Sequence, residues 1–275
     1  MPEVLVTGGV RIPKIGCGTF PMRGPQCAEI VAQALLAGFR HVDTAQGYDN
    51  EAAVGEGIQH SGVPRHEVFI TTKVRPELIA DGPLQRSVEE SLRKLRVETV
   101  DLLLIHWPNP DVSITECMRA LSAAKRAGMA RVIGVSNFVV AKVEEAIAVS
   151  PEPIAAVQFE YHPYLDQTRL LTAVRRHKLG IIAYCPLALG KVASDARLAA
   201  IGKAHSKSAA QVALRWLVQQ DDVIAIPKTS HRKRLKENLS ILDFRLTDAE
   251  VDQISRMTVP DSRLINEPRW VPNWD

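Results

Sequence analysis

Short apolar runs alternate with helical segments eight times along this chain, and no other feature limits its possible folds so tightly. The runs are Ile15 to Phe20, Arg40 to Asp43, Val68 to Lys73, Val100 to His106, Arg131 to Ser136, Ala156 to Glu160, Ile181 to Cys185 and Val223 to Ile226. Each is β-rich and is followed by a candidate helix, the first two over Ala28 to Ala37 and Glu51 to His60. Near-continuous apolar stretches such as Leu102-Leu103-Leu104-Ile105 suit strands covered on both faces, as in a parallel sheet between helices. A doubly wound sheet competes, but eight regular units without a break in composition favour closure. The expected fold is α/β, a (β/α)8 TIM barrel formed by residues 1–275 as a single domain. A content of 46% hydrophobic residues over 275 positions suffices for one such core. Ahead of the first unit, Val4 to Thr7 and Val10 to Pro13 flank Gly8-Gly9 as a hairpin expected to plug the bottom of the barrel. After the last, helices are expected over Arg234 to Leu242 and Asp248 to Met257. An irregular tail, Pro260 to Asp275, carries Trp270 and Trp274 and is placed over the barrel mouth.

A net charge of +3 set against 34 basic and 31 acidic residues leaves no electrostatic footprint for nucleic acid or an anionic membrane. Cys17, Cys27, Cys117 and Cys185 lie at wide, irregular spacings without companion histidines, and read as reduced, mostly buried thiols rather than metal ligands. Met1 to Gly9 lacks the pattern of a signal peptide, and no uncharged run approaches the roughly 18 residues of a membrane helix. A cytoplasmic address and a monomeric state are the default expectations.

Asp43, Lys73 and His106 close three successive strand-like runs, and Tyr48 sits in the loop after the first of them. In a parallel barrel such strand ends converge on one face. Alone, each has an ordinary reading: a helix cap, a solvated lysine, a satisfied histidine, a half-buried tyrosine. Together they suggest a mutually paired site, because a buried charge without a partner is expensive. A tyrosine hydroxyl titrates near pH 10, and an adjacent ammonium lowers that value; Lys73, held by Asp43, could supply the charge. Neutral His106 is then free to donate a hydrogen bond to a carbonyl oxygen as negative charge develops there. No nucleophile accompanies the set, so the attacking species is expected from a cofactor, and a nicotinamide hydride fits a site that protonates an oxyanion.

A glycine fingerprint for a dinucleotide is missing, since Gly16-Cys17-Gly18 runs on into Thr19-Phe20-Pro21. An alternative phosphate site follows the last strand, over Ile226 to Asn238 (IPKTSHRKRLKEN), where barrels often bind phosphate. Bases at a helix start oppose the helix dipole unless an anion neutralises them; the other reading is a solvated basic face.

The run His41 to Tyr48 (HVDTAQGY), then Asn50-Glu51, Thr72-Lys73, Ile105 to Pro108 (IHWP) and Gly134 to Phe138 (GVSNF), resembles the aldo-keto reductases over nearly the whole chain. The resemblance implies a barrel that binds NADPH, with Tyr48 as general acid, Asp43 and Lys73 tuning it and His106 orienting the carbonyl. It implies a 2′-phosphate held by Lys228 and Arg234, with Thr229, Ser230, Glu237 and Asn238 at the same end of the cofactor. Ser136, Asn137 and Gln158 would bond the carboxamide and Tyr184 would stack on the ring, with Thr19, Asp43, Pro186 and Leu187 completing the cofactor contacts. By periodicity alone, Gln158 and Tyr184 could be ordinary strand residues. Phe20 and Trp107, together with Tyr48 and His106, would line the substrate pocket, the other reading of the two aromatics being core packing.

Cys185 departs from the family where many relatives carry serine, and Arg75 where many carry an aromatic residue. Arg75 either faces the pocket and favours acidic or polyhydroxylated substrates or points to solvent. The segments Asp43 to Gln46 (DTAQ), Asp49 to Gly55 (DNEAAVG), Ser61 to Glu67 (SGVPRHE) and Trp274-Asp275 are similar to the bacterial 2,5-diketogluconic acid reductase B group. That similarity implies small-molecule carbonyl substrates such as keto sugar acids and methylglyoxal-like dicarbonyls. Two further readings stand beside it: an NADPH-binding regulatory protein on the same scaffold, and a barrel isomerase or lyase with a phosphate site.

Overall fold

The computed structural model describes residues 3–275. A two-stranded antiparallel hairpin, β1 (Val4–Thr7) and β2 (Val10–Pro13), pairs Thr7 with Val10 across Gly8 and Gly9, both at positive φ. Strands and helices then alternate: β3 (Cys17–Gly18), α1 (Gly24–Ala37), β4 (His41–Asp43), α2 (Glu51–Ser61), β5 (Phe69–Val74), α3 (Pro83–Leu95), β6 (Val100–Ile105) and α4 (Ile114–Arg126). The second half runs β7 (Ala130–Ser136), α5 (Val140–Val149), β8 (Ile154–Glu160), α6 (Thr168–Arg176), β9 (Gly180–Tyr184), α7 (Ala196–His205), α8 (Ala209–Val218), β10 (Val223–Ala225), α9 (Arg232–Leu239) and α10 (Asp248–Ser255).

Strands β3 to β10 pair in sequence order, all parallel. A bridge from Ile15 to Ala225 closes the sheet, with Gly16 N donating to Ala225 O at 2.9 Å and Ala225 N to Lys14 O at 2.9 Å. The expected (β/α)8 barrel is therefore observed. Side-chain alternation splits its core in two. Leu102, Leu104, Val132, Ala156, Ile182 and Ile224 point inward, whereas Leu103, Ile105, Ile133, Val135, Val157 and Ile181 pack beneath the helices.

The hairpin sits under the barrel as expected. Val10 and Ile12 join the interior cluster, and Thr7 Oγ1 donates to Ala155 O at 2.7 Å. Gly8 is held so close that a Cβ there would lie 2.6 Å from that of Ala155.

Several boundaries differ from the sequence reading. The first barrel strand shrinks from Ile15 to Phe20 to the two residues Cys17 and Gly18, flanked by the Ile15 bridge. Helix α1 starts at Gly24, earlier than Ala28, because Pro25 sits in the first turn, where its missing N–H costs nothing. Helix α9 begins at Arg232 and gives way to a 3-10 turn, Ser240–Asp243, in place of one helix over Arg234 to Leu242. Helix α10 ends at Ser255 rather than Met257. No helix among the described residues is long and apolar enough to cross a membrane.

Candidate active site

Strand register brings the ionisable residues together. Asp43 pairs with Thr71 and Lys73 with Leu104, so Asp43, Lys73 and His106 end neighbouring strands on the same face of the barrel. Lys73 is fully buried, and its Nζ reaches Asp43 Oδ1 at 2.5 Å, Thr44 O at 2.8 Å and Tyr48 Oη at 3.2 Å. Burial alone would strip the proton from Lys73; Asp43 and the Tyr48 hydroxyl overcome it, and the ammonium is held more firmly than in water. Tyr48 rides on a 3-10 turn, Gln46–Tyr48, with its ring 5.5 Å from His106 and 5.0 Å from Phe20.

The expected lowering of the Tyr48 pKa is corrected. Burial pushes the hydroxyl above 10 and outweighs the downward pull of Lys73, to which Asp43 adds a further push upward. Tyr48 therefore keeps its proton at neutral pH, with the Lys73 ammonium 3.2 Å from its oxygen. His106 moves the other way: burial, then the charges of Lys73 and Arg75, hold it well below 6.5, so the ring is neutral.

Surrounding side chains fix this geometry. Asn50 donates to Thr19 O and Met22 O at 3.3 and 2.9 Å and accepts from Thr44 Oγ1 at 2.6 Å, tying the loop after β3 to the end of β4. Buried Gln46 donates to Ser87 and Ser91 of α3 and accepts from Arg75 N. The Arg75 guanidinium donates to Gln46 O at 2.7 Å and to Asp49 at 3.3 Å. Arg75 thus clamps the turn that carries Tyr48.

The residues expected around the nicotinamide also converge. Gln158 Nε2 donates to Asp43 Oδ2 at 2.8 Å, Asn137 Nδ2 to His106 O at 2.9 Å and to Ser136 Oγ at 3.1 Å, and Tyr184 Oη to Asn137 Oδ1 at 2.6 Å. Thr19 Oγ1 donates to Asp43 O at 2.9 Å. Beyond Tyr184, Cys185, Ala188 and Leu189 adopt left-handed φ near 50°, a strained strap that includes Pro186 and Leu187. The Cys185 thiol there is pushed up to about 11 by burial.

Lys228, Thr229 and Ser230 follow β10, next to Gly18, whose N donates to Pro227 O at 3.1 Å. Thr229 Oγ1 accepts from His231 N at 3.1 Å, shaping the entry to α9, which has no acidic residue in its first turn. Arg232 pairs with Glu29, and Lys233 lies 3.9 Å from Glu237. Among the described residues, Lys228 and Arg234 pair with no carboxylate, and buried Asn238 has no side-chain hydrogen bond. Two uncompensated cations at a helix start fit a dinucleotide phosphate.

Sequence reading missed how the tail is held. The buried Glu160 carboxylate accepts from Leu264 N at 2.8 Å, Ile265 N at 2.9 Å and the His162 ring at 3.0 Å. The tail then crosses the mouth. Trp274 meets Trp107 at 6.0 Å, and Asp275 accepts from Val140 N at 2.7 Å. Trp107 is buried beneath it and Phe20 is 55% exposed, so Phe20 is no core residue. Trp270 is buried, so this irregular tail adds an aromatic residue to the packed interior.

Known proteins resemble this chain over nearly its whole length. The profile of the Aldo/keto reductase family matches residues 14–258. The methylglyoxal reductase DkgB of Escherichia coli O157:H7 is 42% identical over 267 residues, covering 96% of this chain and 99% of the relative. The crystal structure of a candidate 2,5-diketo-D-gluconic acid reductase B superposes with a TM-score of 0.98 at 50% identity, over 100% of this chain and 98% of the other. An aspartate-to-alanine mutant of Gox0644 in complex with NADPH gives a TM-score of 0.90 at 34% identity over 97% of both chains.

Proposed function

The chain belongs to the aldo/keto reductase family and is an NADP-dependent oxidoreductase, and we propose that it reduces aldehyde or ketone groups of small substrates with Tyr48 as the proton donor. The observation that carries this reading is the buried chain from Asp43 through Lys73 to Tyr48, set beside a neutral His106. NADPH, when bound, supplies the hydride. Ser136, Asn137, Gln158 and Tyr184 would hold its nicotinamide end, and Lys228 and Arg234 would hold the 2′-phosphate. Thr19, Pro186, Leu187, Thr229, Ser230, Glu237 and Asn238 complete the cofactor contacts.

His106 donates a hydrogen bond that orients the substrate carbonyl, and its neutrality leaves proton delivery to Tyr48. As negative charge gathers on the carbonyl oxygen, the Tyr48 hydroxyl gives up its proton and the Lys73 ammonium, 3.2 Å away, stabilises the phenolate. Asp43 keeps Lys73 charged and in place. Phe20 and Trp107 form the apolar wall. Keto sugar acids and methylglyoxal-like dicarbonyls are the proposed substrates, on the strength of the relatives named above, and the protein is proposed to work as a cytoplasmic monomer.

The test follows NADPH absorbance with methylglyoxal, 2,5-diketogluconate and an aromatic aldehyde. Tyr48→Phe is expected to lower kcat by about 100- to 10,000-fold while NADPH binding, read by fluorescence, persists. Turnover at the parent rate in that variant would remove Tyr48 from the role.

A further inference from the structure

We propose that Arg263 recognises a carboxylate on the carbonyl substrate, which raises kcat/KM for a keto or aldehydo acid above that for a neutral carbonyl of the same shape; this rests on the reductase reading above. The guanidinium carbon of Arg263 lies 3.6 Å over the Trp274 ring, and Trp274 packs at 6.0 Å on Trp107, the neighbour of His106. Arg263 is therefore joined through Trp274 to Trp107, one of the two aromatic residues proposed to wall the substrate pocket.

Among the described residues this guanidinium forms no ion pair, and its Nη1 is buried without a hydrogen-bond partner. A permanently charged group in that position is costly unless an anion meets it. Two carboxylates act on it from a distance, and both are committed elsewhere: Glu160 to two tail amides and to His162, Asp275 to Val140 N. Arg75, the other arginine considered for this task, is committed to Gln46 and Asp49.

The position is also built rather than incidental. Ser262 Oγ donates to Tyr164 O at 2.6 Å just before Arg263, and Leu264 and Ile265 are pinned to Glu160 just after it. Backbone fixed on both sides and a face stacked on indole preorganise the planar fork for a carboxylate, at little further entropic cost. Arg263 also lies within the field of Tyr184, so the cofactor diphosphate is the other anion to consider. The stack through Trp274 to Trp107 favours the substrate instead.

The experiment compares 4-carboxybenzaldehyde with methyl 4-formylbenzoate, a pair that differs in the charge of one substituent. In Arg263→Gln the ratio of kcat/KM for the acid over the ester is expected to fall about 10- to 100-fold, mostly through KM, with partial recovery in Arg263→Lys. An unchanged ratio overturns the proposal, as does a loss of NADPH affinity without a change in the ratio, which would assign Arg263 to the diphosphate. A second arm needs no turnover: benzoate is titrated into the NADP+ complexes of the parent and Arg263→Gln, following tryptophan fluorescence. Weaker benzoate binding in the variant supports the carboxylate role, and equal binding defeats it. Failure of the parent to reduce either aldehyde would count against the reductase reading alone, since the titration still decides on Arg263.

Discussion

His41 shows how a single side chain ties the fold to pH without touching the chemistry. It lies fully buried inside the barrel, with Nε2 3.0 Å from Thr71 Oγ1 and its ring edge-on to Phe69, and a Cβ on Gly16 would come within 2.7 Å of it. Burial lowers its pKa from 6.5 to about 4. Between those values the unfolded chain binds a proton that the folded chain does not, so stability rises with pH across this window. The contribution is present in full above about pH 6.5 and is lost as the pH falls toward 4; the gap corresponds to roughly 3 kcal/mol. Urea unfolding of the parent and of His41→Asn at several pH values from 7 to 4 checks this. The variant is expected to lose stability less steeply on acidification, and parallel slopes would show that His41 is not a source of acid sensitivity.

At the scale of elements, what the sequence made legible was whatever repeats or is locally determined. β6 announced itself because both its faces are apolar, and the hairpin because Gly8-Gly9 permits the turn that two strands need. Strand β3 was overestimated because Gly16 and Gly18 have no side chains to show a period. Asp43, Lys73 and His106 were readable because a strand end is a local property, whereas Glu160 meets Leu264 across 104 positions of sequence, a contact no local pattern encodes. The net direction of the Tyr48 shift was equally hidden, since burial is a property of the assembled barrel. Helix α9 carries the element-scale prediction. With Lys228 and Arg234 unpaired by carboxylates, Arg234→Ala should raise the Kd for NADPH about 10- to 100-fold and leave that for NADH within about twofold, as measured by fluorescence titration. Equal losses for both dinucleotides would return the basic run to the reading of a solvated face.

For the whole molecule, the decisive region is the seam where the barrel closes. Strand β3 has two residues, and closure rests on the Ile15 bridge with backbone bonds from Gly16, Gly18 and Ala225. The proposed cofactor residues straddle this seam, with Thr19 on one side and Lys228 and Thr229 on the other. A dinucleotide held by both sides would work against opening of the barrel as well as filling its mouth. We therefore expect the single domain proposed for residues 1–275 to unfold in one thermal transition whose midpoint rises with NADPH. At about 100 times Kd the added stability is about 2.7 kcal/mol, roughly 5 °C for a chain of this size. Tyr48→Phe protein allows the measurement without turnover, and hydrogen exchange at Gly16, Gly18 and Ala225 should slow with the same ligand dependence. Two separate transitions would contradict the one-domain proposal. A raised midpoint with no added protection at the seam would mean that the cofactor binds the mouth without bracing the closure.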